Sequence, residues 1–476
     1  MAIVAVRTRH RLSGSRSLLP FGSLFAHTPG NPLRSGLLAA ALLFHPAARC
    51  QTPAPPTPPP ETWNLRLQST AIGDAHPGFD ALYSGANSLP DYAEKRVSWT
   101  GTIFADVRLG RYFDLVVNPE LASGRGFGFV SGIAGFPNGE IPRVAGATPT
   151  IYWARAYVRY VLPLSDQTEA VESDDNQLGG TRPLSRFTTV AGKFSLVDFF
   201  DNNSYSHDPR TQFMNWALMY NGAWDYPSDV RGYTVGVMEE WTGRRWSLRH
   251  ATAMEPTAAN GPTLDTRVAK NRGEVAEWES RFTPASHPGA LRLLGFYNRE
   301  HAGTFRESVA TAAALGGAPN LDTSRRDGTG KYGFGVNLEQ EIRKDIGAFA
   351  RYGWADGKTE AWAFTQIDRS LSGGVLIGGR FWQRPKDRVG LAAVRNYLSG
   401  DQRAFLAAGG LGFIIGDGAL RYAPETILET YYAVPVPYGF TLTGDYQFVN
   451  HPAYNQDRGP VSVFTLRIHW ETAWKP

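Results

Sequence analysis

From Trp63 onward, apolar and polar side chains alternate with a period of two in segments of about ten residues, separated by glycine, proline and charged turns. Successive side chains of an extended strand point to opposite faces, so each segment has one apolar and one polar side. In Ile151–Leu162 the apolar face collects Tyr152, Ala154, Ala156, Val158, Tyr160 and Leu162, with Trp153, Arg155, Tyr157 and Arg159 opposite. The same pattern sets Phe440, Leu442, Gly444, Tyr446 and Phe448 against Thr441, Thr443, Asp445 and Gln447. It also sets Phe113, Leu115 and Val117 against Asp114, Asn118 and Glu120, and Tyr332, Phe334, Val336 and Leu338 against Asn337, Glu339 and Glu341. Trp278 and Phe282 likewise oppose Glu277, Glu279 and Arg281. No apolar run after Trp63 approaches the roughly 18 residues of a spanning helix, so a membrane would be crossed by strands.

A soluble sandwich alternates too, but its outer face carries spaced, solvated charges. Here the polar faces mix charges with aromatic rings, and the N-terminus reads as an export signal. Residues 1–36 hold Arg7, Arg9, Arg11, Arg16 and Arg34 with no acid; Leu37–Phe44 (LLAAALLF) is a short apolar core, and HPAARCQ follows. Residues 1–50 are therefore expected to be a signal peptide cleaved after Cys50, the only cysteine, and residues 51–62 (QTPAPPTPPP and its continuation) an extended proline-rich linker. Residues 63–476 form the expected barrel domain. Removing the leader takes six arginines and no acid from a net charge of +4, leaving about −2, and with it goes the electrostatic case for nucleic acid. The mature length gives about 27 residues for each of sixteen strands, which suits an antiparallel transmembrane β-barrel with short turns and long loops.

The stretch GKFSLVDFFDNNSYSHDPRTQFMNW (Gly192–Trp216) concentrates Asp198, Asp201, Asn202, Asn203, His207, Asp208 and Arg210 among aromatic rings. It is not a calcium loop: counted from Asp201, Ser206 stands at the sixth position where glycine is required, and Gln212 at the twelfth where glutamate is required. His207 has no second histidine or cysteine nearby, which argues against a transition metal. Ser206, His207 and Asp208 are chain neighbours whose side chains diverge, so they do not make a nucleophilic relay. The glycines of GTGKYG (Gly328, Gly330, Gly333) match a dinucleotide fingerprint but lead into the strand at Tyr332, not a helix. No catalytic, metal or cofactor site is expected.

Several stretches together resemble the carbohydrate-selective outer-membrane porins of the OprB type: YSGANSLP from Tyr83, VNPELASGRGFG from Val117, GIAGFPNGE from Gly132, and the segment from Gly192. FARYGWADGKTEAWAFTQIDRSL from Phe349, LAAGGLGFIIGDG from Leu406 and NHPAYNQDRGPVSVFTLRIHW from Asn450 complete the set, in the family's order. The resemblance implies a sixteen-stranded barrel in the outer membrane of a Gram-negative bacterium, sugar diffusion without a cofactor, and loop segments folded inward. Its barrels usually end at an aromatic residue, whereas ETAWKP continues past Trp470. The outward phase of Phe464, Leu466, Ile468 and Trp470 carries on through Thr472 and Trp474, so the last strand is expected to run on.

A sugar offers apolar C–H faces and a rim of hydroxyls, which calls for aromatic surfaces beside bidentate polar groups. The expected pore-lining set is Trp153, Arg155, Tyr157, Arg159, Asn118 and Glu120 on strand faces, with Asp198, Asn202, Asn203, His207 and Arg210 in the loop. Arg155 and Arg159, about 7 Å apart along a strand, are expected to offer two planar forks to a hexose. The other role open to them is bracing the wall against Glu120, Glu277, Glu279 and Glu339. The expected partners are small carbohydrates, the lipid bilayer and the outer-membrane insertion machinery, and assembly as a homo-oligomer is left open. Two other functions stay in view: a lectin-like barrel holding surface polysaccharide, and an exported β-rich glycosidase, for which no pair of carboxylates stands out.

Overall fold

The computed structural model describes residues 60–475 except Pro142 and Val144. The expected signal peptide and residues 51–59 of the linker lie outside the described residues. Sixteen antiparallel strands close into one barrel. In chain order they begin with β1 (Trp63–His76), β2 (Glu94–Gly110), β3 (Phe113–Gly124) and β4 (Thr150–Pro163). Two short strands, β5 (Thr168–Val171) and β6 (Gly180–Pro183), pair only with each other. The barrel resumes with β7 (Arg186–Phe194), β8 (Thr234–Thr242), β9 (Trp246–Ala253), β10 (Arg272–Phe282), β11 (Gly289–Ala302) and β12 (Arg326–Arg343). It ends with β13 (Ile346–Ala355), β14 (Arg369–Gly378), β15 (Arg388–Tyr397), β16 (Glu425–Val436), β17 (Phe440–Asn450) and β18 (Val461–Trp474). The helices α1 (Trp216–Met219), α2 (Phe305–Leu315) and α3 (Gly400–Ala407) all lie in loops, and among the described residues no helix is long and apolar enough to cross a membrane.

Each barrel strand pairs with its sequence neighbour, and the ring is sealed by β1 against β18, in register from Leu65↔Trp474 to Ala75↔Phe464. Closure leaves no backbone edge, the condition for a sheet in hydrocarbon. The exposure pattern is that of a soluble protein turned inside out. On β18, Leu466 is 57% exposed while its neighbour Arg467 is fully buried, and Glu429, Glu300 and Asp106 are buried on other inner faces. Lipid takes the place of a core on the outside, and the packed interior consists of wall side chains and inturned loops. The expected phases of β3, β10, β12, β17 and β18 all hold, and β18 does run past Trp470 to Trp474. The glycines of GTGKYG lie within β12 itself.

β4 departs from its expected phase. Asn118 pairs with Arg155 but Pro119 pairs with Trp153, so Ala154 is an inserted residue, a β-bulge. Arg155, Tyr157 and Arg159 face inward and Ala156 and Val158 outward, as expected. Before the bulge the faces exchange: Trp153 is 59% exposed beside Pro119 on the outer surface, and Tyr152 turns in. Trp153 is therefore a lipid-side residue and not part of the channel wall.

The two ends differ. At one, strands are joined by connections as short as Arg111–Tyr112, 243–245 and 344–345; at the other, loops reach 39 residues at 195–233. Gln212–Ala223 belongs to this long loop, with α1 inside it.

Candidate permeation site

The 195–233 loop turns into the lumen because the wall offers it acceptors and donors at every step. Asp198 opens it, accepting from the Ser195 N–H at 3.2 Å and from Arg155 Nε at 2.7 Å. Asp201, at φ 56°, donates its N–H to Glu277 Oε2 at 2.7 Å and accepts from Asn337 Nδ2 and the Asn221 N–H. Ser204 N–H reaches Glu339 Oε2 at 2.6 Å, and Arg351 donates to the carbonyls of Ser206 and Leu218. Arg467 donates to the carbonyls of Pro209 and Gln212. The N–H groups of Met214 and Asn215 both end on Glu429, at 2.6 and 3.0 Å. Further on, Asp225 accepts from the N–H groups of Trp362, Ala363 and Phe364, which draws in the 356–368 loop as well. Most of these contacts read backbone, and each leaves a buried polar group satisfied.

Two wall glycines make room for this packing. A Cβ on Gly347 would sit 1.9 Å from the Tyr205 ring, and one on Gly353 1.9 Å from Asn221 Oδ1. Only hydrogen fits at these positions.

What remains open is a cavity of about 1350 Å³. One part of its lining is charged. Arg210 donates to Glu140 Oε1 at 2.7 Å and Glu120 Oε2 at 3.0 Å, while Tyr152 and Tyr233 both donate hydroxyl bonds to Glu120. Burial alone would lower the Arg210 pKa, but Glu140, Glu120 and Asp208 hold it well above the usual range. Asp208, which burial would raise, is held below its ordinary value by Arg210, Thr211 and the backbone. His207 is lowered by burial and then by Arg351, against the opposite pull of Asp208, Asp201 and Asp198, so the neutral imidazole is favoured.

The other part of the lining is aromatic, and the sequence reading missed it. Phe136 stacks on Trp216 with ring centroids 5.1 Å apart, Phe364 lies 5.2 Å from both Trp216 and Tyr226, and Tyr220 sits edge-on to Trp216 and to His207. All of these rings line the cavity. The signal was present in GIAGFPNGE, QFMNW and AWAFTQ, but loop residues have no period-two phase that assigns them a direction.

Of the expected set, Arg155, Tyr157, Arg159, Glu120, Asp198, Asn202, His207 and Arg210 line the cavity. Three do not. Trp153 faces outward because of the bulge; Asn118 is fully buried and donates to Asn176; Asn203 is buried and donates to Asn337. The expected pair of free forks is also corrected: Arg155 is committed to Asp198, and Arg159 donates to the Asn176 carbonyl at 2.7 Å and to the Tyr157 hydroxyl at 3.1 Å. Among the described residues no group of three or more His, Cys, Asp or Glu is arranged to hold a metal ion.

Comparison with known proteins agrees with this architecture. The family described as carbohydrate-selective porin, OprB family, matches residues 77–471. Porin AaxA of Chlamydia caviae is 22% identical over 291 residues, covering 61% of this chain and 54% of that protein, so the match spans about half of the relative's length. Among solved structures, the high-pH structure of Pseudomonas putida OprB is 16% identical, covers 86% of this chain and 94% of the other, and superposes with a TM-score of 0.65, which shows a common fold.

Proposed function

The chain belongs to the OprB family of carbohydrate-selective porins, and from that premise we propose that it gives small sugars a passive, water-filled path across the outer membrane of a Gram-negative bacterium. Family and fold are those of an outer-membrane channel and not of an enzyme. In this reading the N-terminal leader exports the chain, and the short-turn end faces the periplasm, as in other outer-membrane barrels.

The observation that carries the proposal is the composition of the cavity wall. Tyr220, half-buried, offers an apolar ring to sugar C–H faces, and Phe136, Trp216, Tyr226 and Phe364, packed on one another behind it, show the cavity only their margins. Arg210, Asp198, Asn202, His207 and Asp208 offer donors and acceptors to hydroxyls in the same cavity. Most of the charged groups are already paired, so a passing sugar exchanges hydrogen bonds with a neutralised wall and is not trapped. Arg155 and Arg159 act as braces that set the width, and solute contact passes to the loop.

Stepwise ionic currents from purified protein in a planar bilayer test this, with added sugars expected to attenuate them. Tyr220→Ala is expected to weaken sugar block about tenfold, taking ring–sugar stacking as about 1–2 kcal/mol, with ionic conductance unchanged or raised. A silent barrel that binds polysaccharide would favour the lectin-like reading. Release of sugar from a glycoside would favour the glycosidase.

A further inference from the structure

One connection at the short-turn end does not fit its neighbours. The others there use two to nine residues, whereas β4 and β7 are joined by 22, residues 164–185, which carry the β5–β6 hairpin. Its tip is a tight turn in which Asp174 and Gln177 exchange both backbone hydrogen bonds, at 3.0 and 3.1 Å.

That tip is held inside the barrel. Asn64 Nδ2 donates to the Gln177 carbonyl at 2.9 Å and Arg66 to the Ser173 carbonyl, both from β1. Asn118 of β3 donates to Asn176 Oδ1 at 2.7 Å, and Arg159 of β4 to the Asn176 carbonyl at 2.7 Å. Asn118 stands five residues beyond the start of β3 at Phe113, roughly 16 Å along the strand. A second clasp lies lower down, where Glu61, just ahead of β1, exchanges hydrogen bonds with Gly179 through its N–H and its carboxylate. The hairpin residues Val171 and Asp174–Leu178 line the same cavity as Arg155, Arg210 and Tyr220. The cation nearest the tip carboxylates is Arg66, 3.7 Å from Asp174 and 3.9 Å from Asp175, and both acids keep substantial exposure.

We propose that this hairpin is a second constriction, on the turn side, which a solute leaving the inward loop must pass, so that size is read twice in one passage and charge at the hairpin. At the inward loop Arg210 and the β4 residue Arg155 are paired with Glu120, Glu140 and Asp198, whereas the hairpin presents Asp174 and Asp175 with only Arg66 beside them. A neutral sugar is indifferent to that excess of negative charge. A sugar carrying a carboxylate or phosphate is opposed there. The hairpin thus selects for uncharged carbohydrate, a refinement that rests on the channel reading above.

Planar-bilayer recordings on two variants of the full chain test it. In the first, residues 165–184 are replaced by Asn-Gly, a two-residue turn suited to joining antiparallel strands; single-channel conductance is expected to rise about twofold or more, with shorter sugar-block dwell times. In the second, Asp174→Asn with Asp175→Asn leaves the fold of the tip intact. The reversal potential in a potassium chloride gradient is expected to move toward chloride, and block by a sugar phosphate to strengthen relative to block by the neutral sugar. If the shortened chain does not fold, the second variant decides alone. A conducting parent whose conductance and reversal potential are unchanged in the variants places the hairpin outside the path and overturns the proposal. A parent that passes no ions overturns the channel reading itself, and this one with it.

Discussion

Tyr152 and Trp153 occupy each other's expected places because one residue, Ala154, is inserted between two correctly phased half-strands. Alternation gives the phase on either side of a bulge, but the slip becomes visible only against the register of the partner strand. Beyond the bulge the reading holds, and it has a direct test. Val158→Arg, on the lipid side, is expected to cost about 2–4 kcal/mol in folding into vesicles if it lies near the midplane, whereas Thr441→Arg on the inner face is expected to change little. Thr443, on the same face, is not a tolerant control. It is fully buried, with Arg467 Nη2 3.2 Å from its hydroxyl, so arginine there is expected to damage folding too. His207 yields a pH prediction. Its pKa in the folded state lies below the ordinary value, so its contribution to loop stability is full above about pH 6.5 and is lost as pH falls through the lower folded value. Channel noise is expected to rise on acidification in that window, and His207→Asn to remove that dependence.

At the scale of elements, the 195–233 loop was visible as a polar, aromatic-rich segment, but what holds it was not. The sequence offers the wall acids Glu277 and Glu339 as braces for Arg155 and Arg159, but they pair with Arg249 and Arg292 instead. They also take loop amides, a role that leaves no mark in alternation because an acceptor for a backbone N–H needs no particular residue opposite it. The strongest such grip is Glu425, which accepts from the N–H groups of Ala134, Gly135 and Ala453 and so joins two further loops to β16. Glu425→Ala is expected to destabilise the folded barrel by about 2–4 kcal/mol, because buried amides lose their acceptor; denaturant unfolding in detergent measures it. Gly347→Leu is expected to displace Tyr205 and raise conductance without preventing closure of the barrel, which single-channel recording checks.

For the molecule as a whole, closure and the inside-out burial pattern were legible because each follows from one physical demand, that no backbone group meet hydrocarbon unpaired, whereas the number of strands was implied by the resemblance. The extent of the seam was legible in the continued phase through Thr472 and Trp474. Residues Glu471–Trp474 pair with Gln68–Leu65 of β1, so deleting 471–476 is expected to open that corner of the ring and lower the yield of folded protein in vesicles, read from heat-modifiable mobility on gels. The insertion of the β5–β6 hairpin was not legible, since a 22-residue connection in sequence does not state on which side of the barrel rim it lies. The carboxylates of Glu277, Glu339, Glu425, Glu429 and Asp225 grip peptide N–H groups, which every residue but proline supplies. The loop side chains that meet solute are therefore free to vary while the grips stay fixed, and a barrel of this construction can be retailored to a new cargo by changes confined to its lining.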